Sequence, residues 1–212
     1  MSGADRKLAR SHGSASAHVP TSRGLTAPFS RQIIAKPDGV TAVQLSIDIS
    51  DLPAPGRSYS ADEAAVSFNG TDTVHFLFWQ HTVAKQPRSM VAVKMYSDAA
   101  RRFHDSCGSL DEPLKAFVTR NKVAVPTAKV GNEEPAQSVS LVATLAQVAF
   151  GGFEAEVSFF HLSPYAVANA TKGHQSQVPV EPVVQVDLST IMLVSLLRQL
   201  AELVPRLPRE EP

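Results

Sequence analysis

His104 and Cys107 are the side chains whose types and spacing come closest to a chemical site. They lie three positions apart, with Asp105 between them. On a helix this spacing places both on one face, where they could share a metal ion or the imidazole could activate the thiol. A tetrahedral metal site needs further ligands, and the chain has one cysteine and no H-x-x-x-H pair. The pattern therefore favours Cys107 as a core residue and His104 as a surface residue.

Four other titratable residues occupy repeated positions. His75 and His161 each lie in an apolar strand, as pH-sensitive interface groups or as ordinary half-buried residues. Asp72 and Glu154 each follow a predicted turn, and two such carboxylates could form an acid/base pair. One pocket joining these residues would indicate an enzyme with a site assembled from scattered residues. The chain contains no nucleophile elbow, zinc-protease, Walker or dinucleotide-binding motif, so no catalytic, cofactor-binding or metal-binding residue is assigned.

Composition narrows the class of protein. The 212 residues are 43% apolar, which suits one large domain or two small ones, and 20 basic side chains balance 20 acidic ones. This balance disfavours nucleic acid as a partner. The single cysteine excludes an internal disulfide framework. No secretory signal is evident, and "TIMLVSLLRQLAELV" is too short and too polar to span a bilayer. We expect a cytoplasmic protein with no membrane segment and no cofactor.

The first 32 residues have the composition of a disordered basic arm. They are rich in Ser, Ala, Gly and basic residues and poor in large apolar ones, so they bury too little to offset their chain entropy. The simplest interpretation is a solvated tail. The alternatives are an arm that contacts an acidic partner or nucleic acid, and a segment that superficially resembles an organelle transit peptide.

Alternating and helical patterns predict two similar units. In the first, residues 33–125, the predicted strands are "AVQLSIDIS", "EAAVSF", "TVHFLFWQ" and "MVAVKMY", followed by a helix capped by Ser97 and a second short helix, "LDEPLKAFVTRN". Residues 126–137 form a linker or long loop. In the second, residues 138–208, "SVSLVATLAQVAF", "EAEVSFFHL" and "VVQVDL" are strands, residues 163–182 are a long loop, and Ser189 or Thr190 caps the last helix.

The two units share one order of elements: hairpin, strand, capped helix. Each hairpin has a glycine-containing turn, "NG" in the first unit and "GG" in the second. The predicted fold class is therefore α+β, with antiparallel sheets, helices packed on one face, and a tandem duplication of the unit. A chance recurrence of a common motif is the alternative.

Apolar residues on both faces of two strands predict an interface. In "VHFLFW" and "SFFHL" neither face suits bulk water, and one helix covers only one face. The last helix carries a wide leucine stripe that could pair with a copy of itself. The candidate interface or client-binding residues are His75, Leu77, Trp79, Phe160, Leu162, Leu193, Leu196, Leu197 and Leu200.

The order "VHFLFWQ…MVAVKMYSDAARRFHDSC" resembles a family of short, uncharacterised bacterial domains with a β-hairpin, a Val-rich strand and a capped helix. The resemblance covers residues 62–107 and, more loosely, 147–203. It includes no catalytic motif and so implies a fold without an activity. In architecture the chain is also similar to SecB-type export chaperones, which form oligomers and bind unfolded chains along apolar grooves. That similarity implies an oligomer that binds polypeptide clients.

These observations favour a non-catalytic protein-binding or assembly module. It would form a homo-oligomer through apolar sheet faces and the C-terminal helix. The first alternative is a SecB-like chaperone that binds extended polypeptide clients. The further alternative is an enzyme whose site lies between the two units.

Overall fold

The computed structural model describes residues 24–35, 41–68, 70–81, 87–126, 139–173 and 176–208, and within them the chain has an α+β fold. The strands are β1 (Leu25–Ala35), β2 (Thr41–Ile47), β3 (Ser58–Ser60), β4 (Glu63–Phe68), β5 (Thr73–His81), β6 (Pro87–Tyr96), β7 (Val139–Val142), β8 (Leu145–Gly151), β9 (Glu154–His161) and β10 (Gln177–Ser189). The helices are α1 (Ser97–Ser106), α2 (Asp111–Asn121), α3 (Pro164–Lys172) and α4 (Thr190–Leu203).

The strands form two sheets, mainly antiparallel. The four-stranded sheet has the order β4-β5-β6-β7, with β7 parallel to β6. The six-stranded sheet has the order β2-β1-β10-β9-β8, and β3 adds to β10 in parallel. Strand β1 pairs first with β10, through Leu25 to Pro28, and then with β2, through Phe29 to Ala35. The β1–β2 hairpin therefore extends past the sheet as an arm.

The central core lies between the two sheets. Phe76 and Phe78 of β5 contact Phe159 of β9, and the ring centroids are 5.9 Å apart in both contacts. Phe103 of α1 meets Phe76 edge-on at 5.8 Å. Helix α4 adds its apolar stripe to this core, with Leu193, Leu196, Leu200 and Leu203 fully buried. Burying a side chain of this size stabilises the fold by about 1.5–3 kcal/mol.

A second apolar cluster covers the other face of the six-stranded sheet. On β9, Phe159 faces the central core while its neighbour Phe160 faces this second cluster, and both are fully buried. Helix α3 packs on the cluster through Ala166 and Ala170. Strand β9 is therefore buried on both faces, as its two-sided apolar pattern predicts.

Helix α3 occupies a segment for which the sequence predicted a long loop, and that prediction was wrong. The Ser163 hydroxyl accepts a hydrogen bond from the Ala166 N–H, and Pro164 occupies the first turn. Both features are helix-start signals that the surrounding loop residues obscured. The cap predicted at Ser97 is also wrong, because Ser97 is itself helical. Ser189 does cap α4, by accepting from the Met192 N–H.

Other boundaries also differ from the sequence-based ones. Strand β1 begins at Leu25, inside the predicted N-terminal arm. The long strand predicted over residues 138–150 breaks at Ala143 and Thr144, so β7 and β8 belong to different sheets. Residues 1–23, and nearly all of the predicted linker (127–137), lie outside the described residues, as does Asn69 of the first turn.

The two predicted units match in connectivity and in hydrogen bonding. Each has a short strand, a hairpin whose turn glycine has positive φ (Gly70 at 83°, Gly152 at 65°), a third strand and a helix. Each short strand pairs in parallel with the third strand of the other unit. Two backbone hydrogen bonds of the first unit have counterparts in the second. The Ser97 N–H donates to the Asp72 carbonyl oxygen as the Thr190 N–H donates to that of Phe153. The Ala61 N–H donates to the Asp187 carbonyl oxygen as the Ala143 N–H donates to that of Lys94. The tandem duplication itself stays a prediction.

Gln199 of α4 hydrogen-bonds the outer edge of β4. Its side chain is 2% exposed, and its Oε1 accepts from the Val66 N–H at 3.0 Å. Its Nε2 lies 3.5 Å from the Ala64 carbonyl oxygen and 3.4 Å from the Ser195 hydroxyl. The Gln199 amide thus provides hydrogen-bond partners for backbone groups of β4 that a further strand would otherwise pair.

Replacing Gln199 should destabilise the chain. In Gln199→Leu the buried Val66 N–H loses its acceptor, so the free energy of unfolding should fall by about 1–3 kcal/mol. The control is Gln44→Leu on exposed strand β2, with an expected change within about 0.5 kcal/mol. Urea unfolding followed by circular dichroism measures both. Equal effects of the two substitutions would contradict the role of Gln199.

Candidate functional site

A groove of about 1300 Å³ lies between the β1–β2 arm, strand β8 and helices α1 and α3. Residues 43–50 form one wall, and residues 144–148 form the opposite wall. Helix α1 contributes Ala99 and Phe103 from one side, and α3 contributes Val167 from the other. We call this feature the β2–β8 groove.

Apolar and polar residues alternate along β2 and the residues that follow it, so this wall of the groove has an apolar side and a polar side. Leu45, Ile47 and Ile49 are half-buried and pack against the second cluster, while the residues between them are exposed. Just beyond β2, the Ser50 hydroxyl and N–H donate to the Asp48 carboxylate at 2.6 and 3.0 Å. These two bonds, the hydroxyl first, lower the pKa of Asp48 and fix the turn that ends this wall.

The opposite wall is β8, the last strand of its sheet among the described residues. The Gln147 side chain crosses the groove and donates to the Ser50 carbonyl oxygen at 3.3 Å. This bond ties the end of the arm to the body of the chain.

Exposed apolar side chains surround the mouth of the groove. Val43, Tyr96 and Val142 line it and are 43%, 57% and 48% exposed. Apolar surface collected around a groove is typical of a binding site for another macromolecule. The nearby cation Arg102 is within 3.9 Å of Asp98, its neighbour one helical turn earlier.

Cys107 and His161 are the residues of the groove with the most chemical potential. Burial raises the pKa of the Cys107 thiol to about 11, so the thiol is neutral at physiological pH and is a poor nucleophile. His161 is half-buried, and its Nδ1 has no hydrogen-bond partner within the structure. Of the pair considered in the sequence, His104 is half-buried with its Nδ1 3.2 Å from the Asp105 carboxylate, and Cys107 belongs to the central core.

The structure does not bring the scattered titratable residues together. Of the four, only His161 lines the groove. His75 is 2% exposed within β5, and Asp72 and Glu154 are exposed at the hairpin turns. Among the residues that the structure describes, no group of three or more His, Cys, Asp or Glu side chains is arranged to hold a metal ion.

The predicted interface residues lie mostly inside the chain. Leu162 alone of them lines the groove, and Phe160 lies in the second cluster. Trp79 is half-buried, and its Nε1 donates to the Glu63 carboxylate at 2.7 Å. Leu197 faces a smaller cavity of about 410 Å³ between α2 and α4. The remaining five, His75, Leu77, Leu193, Leu196 and Leu200, are buried.

Three parts of the groove escaped the sequence interpretation. Strand β2 was recognised as alternating, but its role as a wall follows from the long β1–β2 arm. Helix α3 was taken for a loop, although Ser163 and Pro164 signal its start. Tyr96 was counted only as the end of a strand. No local pattern places these three elements around one groove.

Comparison with known proteins finds no match for the chain among family models, curated proteins or solved structures. In the described part of the chain, no helix is both long and apolar enough to cross a membrane. The function is therefore inferred from the geometry of the groove.

The raised pKa of Cys107 predicts a pH dependence of stability. The thiol pKa is 9.0 in the absence of burial and about 11 in the folded chain, so the folded state holds its proton more tightly. The free energy of unfolding should fall as the pH rises from about 9 to about 11, and Cys107→Ala should lose less over that range. Urea unfolding across the range measures both slopes. Equal slopes would contradict a buried neutral thiol.

Proposed function

We propose that this chain is a non-catalytic protein-binding module whose β2–β8 groove receives an extended, apolar polypeptide segment. The observation that carries the proposal is the volume of the groove, about 1300 Å³, combined with its largely apolar, nearly uncharged lining. This function belongs to the class expected from the sequence. The proposed binding surface is the groove, and of the nine predicted interface residues Leu162 alone lines it.

The dimensions of the groove suit a peptide. The extended part of the wall, residues 43–47, spans about 13 Å at the rise of a strand, which matches about five residues of bound chain. The volume of about 1300 Å³ exceeds the roughly 300–1,000 Å³ of common small-molecule sites.

The charges of the lining favour an uncharged ligand. Asp48 and Arg102 supply one carboxylate and one guanidinium, and His161 is the single imidazole. Most other lining side chains are apolar or carry neutral polar groups. Such a surface gives no attraction for polyanions, and burying a charged segment against it would cost desolvation energy. An apolar peptide segment needs no charge attraction and has no charged group to desolvate.

The same lining disfavours the enzyme alternative. The neutral Cys107 thiol has no base shown to activate it, and the groove contains one carboxylate, whereas acid/base catalysis commonly needs two complementary groups. A SecB-like chaperone role is compatible with the proposal, because such a role also requires an apolar groove for extended clients.

Truncation of Tyr96 should weaken peptide binding. The probe is a fluorescein-labelled peptide, Ser-Val-Thr-Ile-Thr-Val-Ser, and an all-serine peptide of equal length is the polar control. Tyr96→Ser should raise the Kd by roughly 5- to 30-fold, because an aromatic side chain at the mouth is lost. The matched control Tyr165→Ser removes a tyrosine that is 77% exposed and outside the groove. Fluorescence anisotropy measures Kd.

Failure of the Val- and Ile-containing peptide to bind the unmodified protein better than the all-serine peptide would overturn the proposed function. Equal losses in the two tyrosine variants would move the binding surface away from the groove.

Self-association is a second candidate, favoured by apolar residues on the arm. Ile33 pairs across the hairpin with Val43, and these side chains are 73% and 43% exposed. If two arms pack together, light scattering after gel filtration should give a defined dimer or larger oligomer. Ile33→Glu should then return the mass to that of a monomer, because it places a charge in the contact. A monomer before substitution would exclude this contact.

A further inference from the structure

We propose that the bound segment adds to the six-stranded sheet as a further strand along the outer edge of β8. The proposal rests on the proposed function and specifies how the segment is recognised. The ligand is an uncharged polypeptide with free backbone N–H groups and apolar side chains. Recognition is by backbone hydrogen bonds to Ala146 and Val148 as well as by apolar contact.

The hairpin that joins β8 to β9 determines which backbone groups face the groove. Its two-residue turn is closed by the pair Gly151 and Glu154, and such a closing pair is hydrogen-bonded. Because bonded and non-bonded pairs alternate, Gln147 and Ala149 bond to β9. Ala146 and Val148 therefore direct their N–H and C=O groups to the outer edge.

Those groups are unpaired in the described structure. Strand β8 ends its sheet, and among the described residues no backbone hydrogen bond joins its outer edge to another element. Ala146 and Val148 line the β2–β8 groove. An unpaired row of alternating donors and acceptors is a template for another chain. A compact small molecule cannot satisfy such a row, whereas an extended peptide backbone can.

The first unit shows what closes the corresponding edge. Strand β4 occupies in the first hairpin the position that β8 occupies in the second. In β4, Ala64 pairs with Phe78 and Val66 with Phe76. In β8, Ala146 pairs with Phe159 and Val148 with Val157. Both α1 and α4 begin with a residue whose N–H donates to the hairpin turn, Ser97 and Thr190. Nine positions further along each helix are Ser106 and Gln199.

Ser106 cannot repeat the contact that Gln199 makes. The Gln199 amide bonds the edge of β4, whereas the Ser106 hydroxyl turns back and donates to the Phe103 carbonyl oxygen at 2.7 Å. Serine also has one side-chain methylene, whereas two methylenes carry the glutamine amide to the strand. One edge is therefore closed by a side chain, and its counterpart in the wall of the groove is unpaired among the described residues.

The surroundings of the edge specify the side chains of the ligand. An added strand would direct alternate side chains toward Phe103 and Ala99 of α1 and toward Leu162 and Val167 near α3. Both sides are apolar, so a segment with small or medium apolar residues fits. Charged residues on the added strand would be desolvated without partners.

The decisive variant is Ser106→Gln, which places in α1 the side chain that closes the edge in the first unit. Binding of the Ser-Val-Thr-Ile-Thr-Val-Ser peptide should weaken by about tenfold or more. The control Thr119→Gln adds the same side chain at an exposed position of α2 outside the groove and should change the Kd less than about twofold.

A second variant, Val148→Pro, removes an N–H that bonds to no other strand in the described structure. Proline is tolerated at such edge positions, so the fold should persist while peptide binding falls. Circular dichroism and thermal unfolding check the fold. If Val148→Pro unfolds, Ser106→Gln still provides the test. The peptide control carries the same side chains with every backbone nitrogen methylated, and it should not bind.

The outcomes separate the two proposals. Peptide binding accompanied by slower hydrogen exchange of the Val148 amide supports strand addition. If Ser106→Gln and Val148→Pro bind the peptide as tightly as the unmodified protein, and the methylated peptide also binds, strand addition is overturned. The proposal of an apolar peptide-binding groove then stands without it. No binding of any peptide overturns the proposed function itself. The protein could also bind no peptide and form an oligomer that Val148→Pro converts to a monomer. That result would overturn peptide addition and assign the β8 edge to a second copy of this chain.

Discussion

The side-chain amide of Gln199 substitutes for a neighbouring strand at the edge of β4. A buried strand edge must find partners for every N–H and C=O, because an unpaired buried group costs about 1–3 kcal/mol. Gln199 provides an acceptor for Val66 and lies against Ala64, and its neighbour Ser195 donates to the Pro126 carbonyl oxygen. These contacts hold α4 on β4, and α4 closes the core in which Phe76 meets Phe159.

The rest of the architecture follows from the way the two units share strands. Each unit contributes a short strand to the sheet of the other, so neither sheet is complete without both. The exchange brings α1 beside β8 and α4 beside β4. The long Gln199 side chain of α4 reaches the edge of β4, whereas the short Ser106 side chain of α1 bonds within its own helix. The β8 edge, which is unpaired among the described residues, lies in the wall of the groove near the β1–β2 arm and α3.

Local patterns account for much of the fold. Alternation in "TVHFLFWQ" and "EAEVSFFHL" predicted β5 and β9, and apolar residues on both faces predicted that neither face is solvated. The leucine stripe predicted α4 and its Ser189 cap. Helix α3 was missed because its apolar residues are small alanines, which give a weak periodic signal. The groove was missed because its walls are far apart in the sequence.

By itself the sequence determined most of the strands, the last helix and the repeated order of hairpin, strand and helix, because alternation, periodicity and turn residues act over short distances. The tertiary structure alone decided which apolar residues are interior and which strand edge is open. The reason is physical: burial depends on what packs against a side chain, and a strand edge is closed or open according to a residue far along the chain. Gln199 lies 133 residues from Val66, and no local pattern connects them.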